Sequence, residues 1–156
     1  MVRFVGIAGS LRPESYSQHA LQLTAQRIEA LGGEVEILDL RKLNLPFCDG
    51  GDKYPDHPDV ERLRNAFREA DGIILVSPEY HGSVSGVLKN ALDLMGFEQL
   101  SDKVAGVISV LGGQSNSNTL NDLRTILRWV HVWVIPEQIA IGQAWQAFDN
   151  KGQLQD

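Results

Sequence analysis

Five short strand-like runs recur along this chain, and a helix-patterned stretch or a polar loop separates each from the next. Residues 2–8 form an almost unbroken apolar run that Gly9 and Ser10 stop. Over 16–31 the side chains of Leu21, Ala25, Ile28 and Leu31 return on one helical face, and Gly32-Gly33 ends the pattern. Residues 34–40 alternate as a strand, and a loop rich in Pro, Gly and Asp fills 41–58. A helical stripe over 59–70 carries Val60, Leu63 and Phe67. The third strand is expected at 72–77, ending at Pro78, and a helix at 84–95 with Val87, Leu88, Ala91, Leu92 and Met95 on its inner side. Strand 104–111, helix 118–130 and strand 131–135, stopped by Pro136, complete a βαβαβαβαβ order. Nearly continuous apolar strands separated by helices of three to four turns need cover on both faces, which means a parallel sheet in a doubly wound, three-layer α/β domain. Beyond Pro136 the pattern weakens: 138–142 and 145–148 read as short extended pieces and 150–152 as a turn. A fifth, closing helix is expected to be absent or truncated, leaving that face to end early or to be covered by a neighbouring subunit.

A length of 156 residues suits one domain spanning 1–156. The formal net charge of −6 argues against a generic nucleic-acid partner, which needs a basic footprint. The single cysteine, Cys48, excludes an internal disulfide and any cysteine-based metal cluster. The four histidines (His19, His57, His81 and His131) lack ligand spacing, so no metal is expected. No apolar stretch approaches the roughly 20 residues of a membrane span, and the expected compartment is the reducing cytoplasm.

In an open parallel sheet, ligands bind beyond the carboxyl ends of the strands. Three loops fall there: 9–18, 78–83 and 112–116. The first joins a strand to a helix, whose opening amides and dipole suit a phosphate. Ser10, Ser15 and Ser17 add hydroxyls, and Arg12 adds a charge-assisted fork. Ser15 or Ser17 can equally do no more than cap the helix. The dinucleotide pattern Gly-x-Gly-x-x-Gly is absent, because Gly6 and Gly9 are wrongly spaced, and no Walker lysine is present. A hydroxyl-lined loop of this kind fits a terminal monophosphate, such as that of flavin mononucleotide. In the second loop Pro78, Glu79, Tyr80, His81 and Gly82 can present backbone groups to a flat heterocycle, or serve as an ordinary turn with a rim aromatic. The third, with Gly112, Gly113 and Gln114, can cradle an edge with amides, or be a plain turn capped by Asn116 or Ser117. Lys89 and Asp93 match as an i,i+4 pair and read as structural. Cys48 reads as a packed residue, and no Gly-x-Ser-x-Gly elbow is present.

At these residues the chain resembles NADPH-dependent FMN reductases, in particular the bacterial azobenzene-reductase and chromate/quinone-reductase branch. The resemblance rests on Gly9-Ser10-Leu11-Arg12 with Ser15, on 77–81 continuing through Ser85-Gly86-Val87-Leu88-Lys89-Asn90-Ala91-Leu92-Asp93, and on Gly112-Gly113; it runs from Val2 to about Ile139. It implies a flavodoxin-like fold, a five-stranded parallel sheet in the order 2-1-3-4-5, and FMN held by the three loops. Residues matching Ser10, Arg12, Ser15 and Ser17, with Gln18 beside them, would hold phosphate. Those matching Pro78 to His81, with Gly82 beside them, would line the isoalloxazine, partly through backbone atoms, and those matching Ser109 to Gln114 would border it from the other side. Members commonly carry Asn where this chain has Ser17 and His81, and they are commonly dimers or tetramers. Leu88, Leu92, Ile126 and Trp129 are the expected apolar contact surface.

The function expected is that of an FMN-dependent oxidoreductase. NADPH or NADH would deliver hydride to flavin N5, and a quinone, azo, nitro, flavin or metal-ion acceptor would then take the electrons in ping-pong fashion. No catalytic side chain is assigned, because the flavin carries the chemistry. The alternative is a flavodoxin-like electron carrier without nicotinamide chemistry; such carriers enclose the ring between two aromatics, whereas Tyr80 is the one aromatic expected beside the ring here. A third class, a fold-only regulatory domain, is disfavoured by the intact Arg12 loop.

Overall fold

Successive side chains on a strand point to opposite faces, and in this sheet both faces are apolar. The structure, a computed structural model, describes residues 1–114 and 117–155. Strand β1 (Arg3–Ala8) places Val5 and Ile7 in one core and Phe4 and Ala8 in the other. β2 (Glu34–Leu38) and β3 (Gly72–Tyr80) flank β1 in parallel; β4 (Ser83–Val84) folds back antiparallel on the end of β3. β5 (Val104–Val110) and β6 (Trp133–Ile141) complete the order β2-β1-β3-β5-β6. With the small strand β4 set aside, this is the expected order of a flavodoxin-like sheet.

Helices α2 (Pro58–Glu69), α3 (Gly86–Asp93), α4 (Phe97–Leu100) and α5 (Asn118–Trp129) pack on the larger core. Val60, Leu63 and Phe67 of α2 are fully buried there, each contributing roughly 1.5–3 kcal/mol by removal from water. On the other face lie α1 (Tyr16–Ala30) and the one-turn helix α6 (Ala144–Ala147). No room exists for a side chain at Gly9, where a Cβ would stand 2.7 Å from Leu88 Cβ. The turn from β1 to α1 is therefore pressed against the start of α3.

Several boundaries differ from expectation. β3 does not stop at Pro78. It continues to Tyr80 because Pro78 pairs with Val110, and Glu79 and Tyr80 pair with Val84 and Ser83. The second loop shrinks to His81-Gly82, both left-handed at φ 52° and 79°, as a two-residue hairpin turn requires. The helix expected from 84 starts at Gly86, since Val84 belongs to β4 and Ser85 caps, its hydroxyl accepting from Leu88 N at 3.2 Å. β6 runs through Pro136 to Ile141, taking in the piece expected at 138–142. It can do so because the register slips between Ala105/Val134 and Val107/Gln138, and an irregular edge strand tolerates a missing N–H.

The segment expected as extended at 145–148 is instead the turn of α6, with Ala144 and Phe148 buried. A tight turn does follow, where Gly152 N donates to Asp149 O at 3.0 Å. Between α1 and β6 the sheet face carries a trough of about 270 Å³, lined by Phe4, Ile28, Ile74, Ile108, Ile135 and Ile139 among others. Of the expected contact surface, Leu88 is fully buried in the core, whereas Leu92, itself 4% exposed, lines an open hollow with the half-buried Ile126 and with Trp129, which is 78% exposed.

Candidate functional site

The carboxyl ends of β1, β3 and β5 open on a cavity of about 310 Å³, within the roughly 300–1,000 Å³ typical of small-molecule pockets. One side is the first loop and the opening turn of α1: Ser10, Arg12, Glu14, Ser15, Tyr16 and Ser17. Ser15 is the N-cap, its hydroxyl accepting from Gln18 N at 3.2 Å. The capping role and a ligand role are compatible, since the Ser15 proton is still available for donation. Ser10 Oγ likewise accepts from Arg12 N at 3.4 Å. Ser10, Ser15, Ser17 and Gln18 are all at least 96% buried. The Gln18 side-chain nitrogen is buried with no hydrogen-bond partner, a donor that costs free energy until something accepts from it. The first amides of α1 have no acceptor within the helix, and the helix dipole adds positive potential.

The other sides are Pro78, Glu79 and Tyr80 from β3, Val110, Leu111 and Gly112 from the end of β5, and Ala144 and Trp145 from α6. The last two are held by a backbone stitch. Leu111 N donates to Ile141 O at 2.9 Å, Ala144 N donates to Leu111 O at 3.1 Å, and Gln143 N donates to Gly113 O. Phe148 anchors the same segment by stacking on Tyr16, ring centroids 5.6 Å apart. Tyr80 is thus not the one aromatic at the site; Tyr16 and Trp145 join it.

Of the residues picked out in sequence, eight line the cavity together: Ser10, Arg12, Ser15, Ser17, Pro78, Glu79, Tyr80 and Gly112. Glu79 also has a structural task. Its carboxylate accepts from Thr119 N at 3.2 Å and Thr119 Oγ1 at 3.1 Å, capping α5 where the N-cap Ser117 makes no side-chain bond. Gln18 lies buried behind the α1 turn, His81 and Gly82 form the hairpin tip, and Ser109 is fully buried within β5. Gly113 and Gln114 are exposed beyond the lining. The alternative cap Asn116, together with Ser115, falls outside the described residues. Glu14, Tyr16, Trp145 and Ala144 were missed. Glu14 and Tyr16 lie inside a loop read for its hydroxyls, and nothing in the local pattern around Trp145 ties it to loops more than thirty residues earlier.

Cys48 sits away from the cavity. Its N–H donates to Asn90 Oδ1 at 2.9 Å and its thiol to Asp93 O at 3.3 Å. Beside it the Tyr54 hydroxyl donates to Asp49 at 2.8 Å, and this bond to a carboxylate pushes the phenol up to about 12. Lys89 and Asp93 form the expected i,i+4 pair at 2.6 Å. Among the described residues no group of three or more His, Cys, Asp or Glu is placed to hold a metal ion, and no helix is long and apolar enough to cross a membrane.

Residues 2–146 match the family described as NADPH-dependent FMN reductase. The chain is 34% identical over 158 aligned positions to the NADPH-dependent FMN reductase ArsH of Shigella flexneri, covering 98% of this chain and 61% of that one. It is 35% identical over 140 positions to the FMN-dependent NADPH-azoreductase of Staphylococcus saprophyticus, covering 86% and 73%. The chain thus spans about three fifths of the ArsH length. Among solved structures, FerB from Paracoccus denitrificans, a flavoenzyme NAD(P)H:(acceptor) oxidoreductase, superposes with a TM-score of 0.77 at 22% identity over 100% of this chain and 87% of that one. At that identity the likeness concerns the fold.

Proposed function

The chain belongs to the NADPH-dependent FMN reductase family, and from that premise we propose that it is an FMN-dependent NAD(P)H oxidoreductase acting on small-molecule electron acceptors. The observation that carries the reading is one cavity with two unlike sides, buried hydroxyls, the opening turn of α1 and Arg12 on one and Tyr80, Trp145 and apolar surface on the other, with the unpartnered amide of Gln18 buried in that same first turn of α1. That donor set fits a flavin mononucleotide. Ser10, Ser15, Ser17, the α1 amides and Arg12 would hold the phosphate, with Gln18 as a further donor. Tyr16, Tyr80 and Trp145 offer aromatic surface, and Pro78, Glu79 and Gly112 complete the wall.

When bound, FMN supplies hydride acceptance from the nicotinamide and electron delivery to a second substrate. The protein's own part is binding and positioning. Arg12 and the helix dipole neutralise the phosphate, and the stitched β5–β6 end keeps Trp145 and Gly112 at the mouth. Tyr80 and Trp145 are 47% and 59% exposed, so the mouth is open to solvent and to a second flat molecule. Nicotinamide and acceptor would use this mouth in turn, and quinone, azo, nitro, flavin and metal-ion acceptors are all compatible with so open a rim. We further read 1–156 as one domain of a cytoplasmic homodimer or homotetramer.

The three aromatics favour a second reading, an electron carrier that encloses its flavin. Steady-state oxidation of NADPH and NADH by purified protein with FMN and a quinone separates the two. The reductase reading expects turnover and parallel double-reciprocal plots at several fixed quinone levels. Flavin binding without nicotinamide oxidation would leave the carrier, and intersecting plots would remove the shared mouth.

A further inference from the structure

A second arginine, outside the cavity, holds the loop that lines it. Arg41 follows β2, at the 3₁₀ turn Leu40–Lys42 whose N-cap is Asp39. Its guanidinium forks onto Asp39, Nε to Oδ1 at 2.8 Å and Nη2 to Oδ2 at 2.8 Å. The remaining arm, Nη1, donates to two backbone carbonyls of the first loop, Arg12 O at 3.3 Å and Pro13 O at 3.2 Å. These carbonyls belong to the segment that carries Arg12 and Glu14 to the cavity, and residues 11–14 are otherwise exposed.

We propose that Arg41 is a positioning residue for the anion-binding loop, its guanidinium fixing the backbone on either side of the Arg12–Pro13 bond so that the Arg12 side chain is presented to the ligand's phosphate. All three guanidinium nitrogens donate to Asp39 or to the loop, and Arg41 is not among the residues that line the cavity. Its positive charge is matched by the Asp39 carboxylate, so what it supplies is geometry and not net attraction. A lysine cannot take its place, because one ammonium cannot span two carboxylate oxygens and two carbonyls with a planar fork. The functional part of this inference rests on the flavin reading; the clamp does not.

The test therefore has two arms. In the ligand-free protein, amide hydrogen exchange at Leu11, Arg12 and Glu14 should accelerate in Arg41→Ala while the middle of α1 keeps its protection. In the ligand-bound arm, Arg41→Ala should weaken FMN by about tenfold, the size of one charge-assisted hydrogen bond, with riboflavin held within about twofold. Arg41→Lys should recover only part of that loss, and Arg41→Ala should cost nothing more in an Arg12→Ala background. Because Arg41→Ala strips Asp39 of its partner, the Asp39→Asn/Arg41→Ala double variant is measured beside it and should behave the same. Unchanged exchange in 11–14, full rescue by lysine, or an equal loss for riboflavin would each overturn the assignment. Absence of FMN binding by the unmodified protein would overturn the flavin reading instead, leaving the exchange arm to decide the clamp.

Discussion

Asn90 donates from its side-chain amide to Pro46 O at 2.9 Å and accepts from Cys48 N at 2.9 Å, so one residue of α3 fastens the long loop after β2. Its place in the Leu-Lys-Asn-Ala run is explained by shape: no hydrophobic side chain could satisfy both a carbonyl and an amide there. Asn90→Ala is expected to lower unfolding free energy by about 1–3 kcal/mol, for it leaves polar backbone groups of a part-buried loop without partners. Urea denaturation measures this, and a change below a few tenths of a kcal/mol would contradict it. Trp145 gives a residue-scale test of the ring side. Trp129 ends α5 and Trp133 opens β6, both away from the cavity lining. In a Trp129→Phe/Trp133→Phe protein the remaining Trp145 emission should fall steeply on adding FMN. Trp145→Ala should weaken FMN and riboflavin alike, by about three- to tenfold for a lost aromatic contact. Emission indifferent to FMN would take Trp145 off the site.

At the scale of elements, the junction of β2 with its 3₁₀ turn has a pH signature. The side-chain hydrogen bond from Arg41 is the main cause that holds the Asp39 carboxyl below its ordinary value. A carboxylate depressed in the folded state adds stability that is complete above its unfolded pKa of about 3.9 and is lost as pH falls through the lower folded value. The stability gap between the unmodified protein and Asp39→Asn should accordingly be constant from about pH 6 to 5 and shrink below about pH 4; a gap independent of pH down to acid unfolding would contradict the pairing.

Elements also show what the chain's pattern could and could not reveal. α2 was legible because Val60, Leu63 and Phe67 repeat on one face, and the parallel order followed from strands with apolar residues on both faces. The hairpin at His81-Gly82 was not, because Pro78 reads as a strand end unless its partner Val110 is known. β6 was cut short for the same reason: Pro136 is tolerated only through a register slip against β5. Local pattern locates periodicity; pairing across the sheet is a non-local fact. The phosphate side of the site was readable because it is one contiguous loop. The aromatic surface was not, since Tyr80 and Trp145 join Tyr16 of that loop only after β6 is stitched to the end of β5.

For the whole molecule, the two layers are unequal. Three full helices cover one face of the sheet, and the other has α1, the short α6 and an apolar trough. Aromatic side chains are also open on the outer surface, with Trp129 78%, Trp133 72% and Phe97 52% exposed. Apolar surface on this scale marks association sites, and sedimentation at micromolar concentration should show a dimer or tetramer; a well-folded monomer alone would contradict that.

If the cavity at the carboxyl edge takes a flavin by its phosphate, paired titrations of FMN and riboflavin on the unmodified protein and on Arg12→Ala will separate the two ligands. The unmodified protein should bind FMN clearly more tightly than riboflavin. A charge-assisted hydrogen bond contributes about 1.5–3 kcal/mol, so Arg12→Ala should weaken FMN by about ten- to a hundredfold while riboflavin stays nearly unchanged. Equal affinity for the two flavins, or an equal loss of both in Arg12→Ala, would contradict the claim.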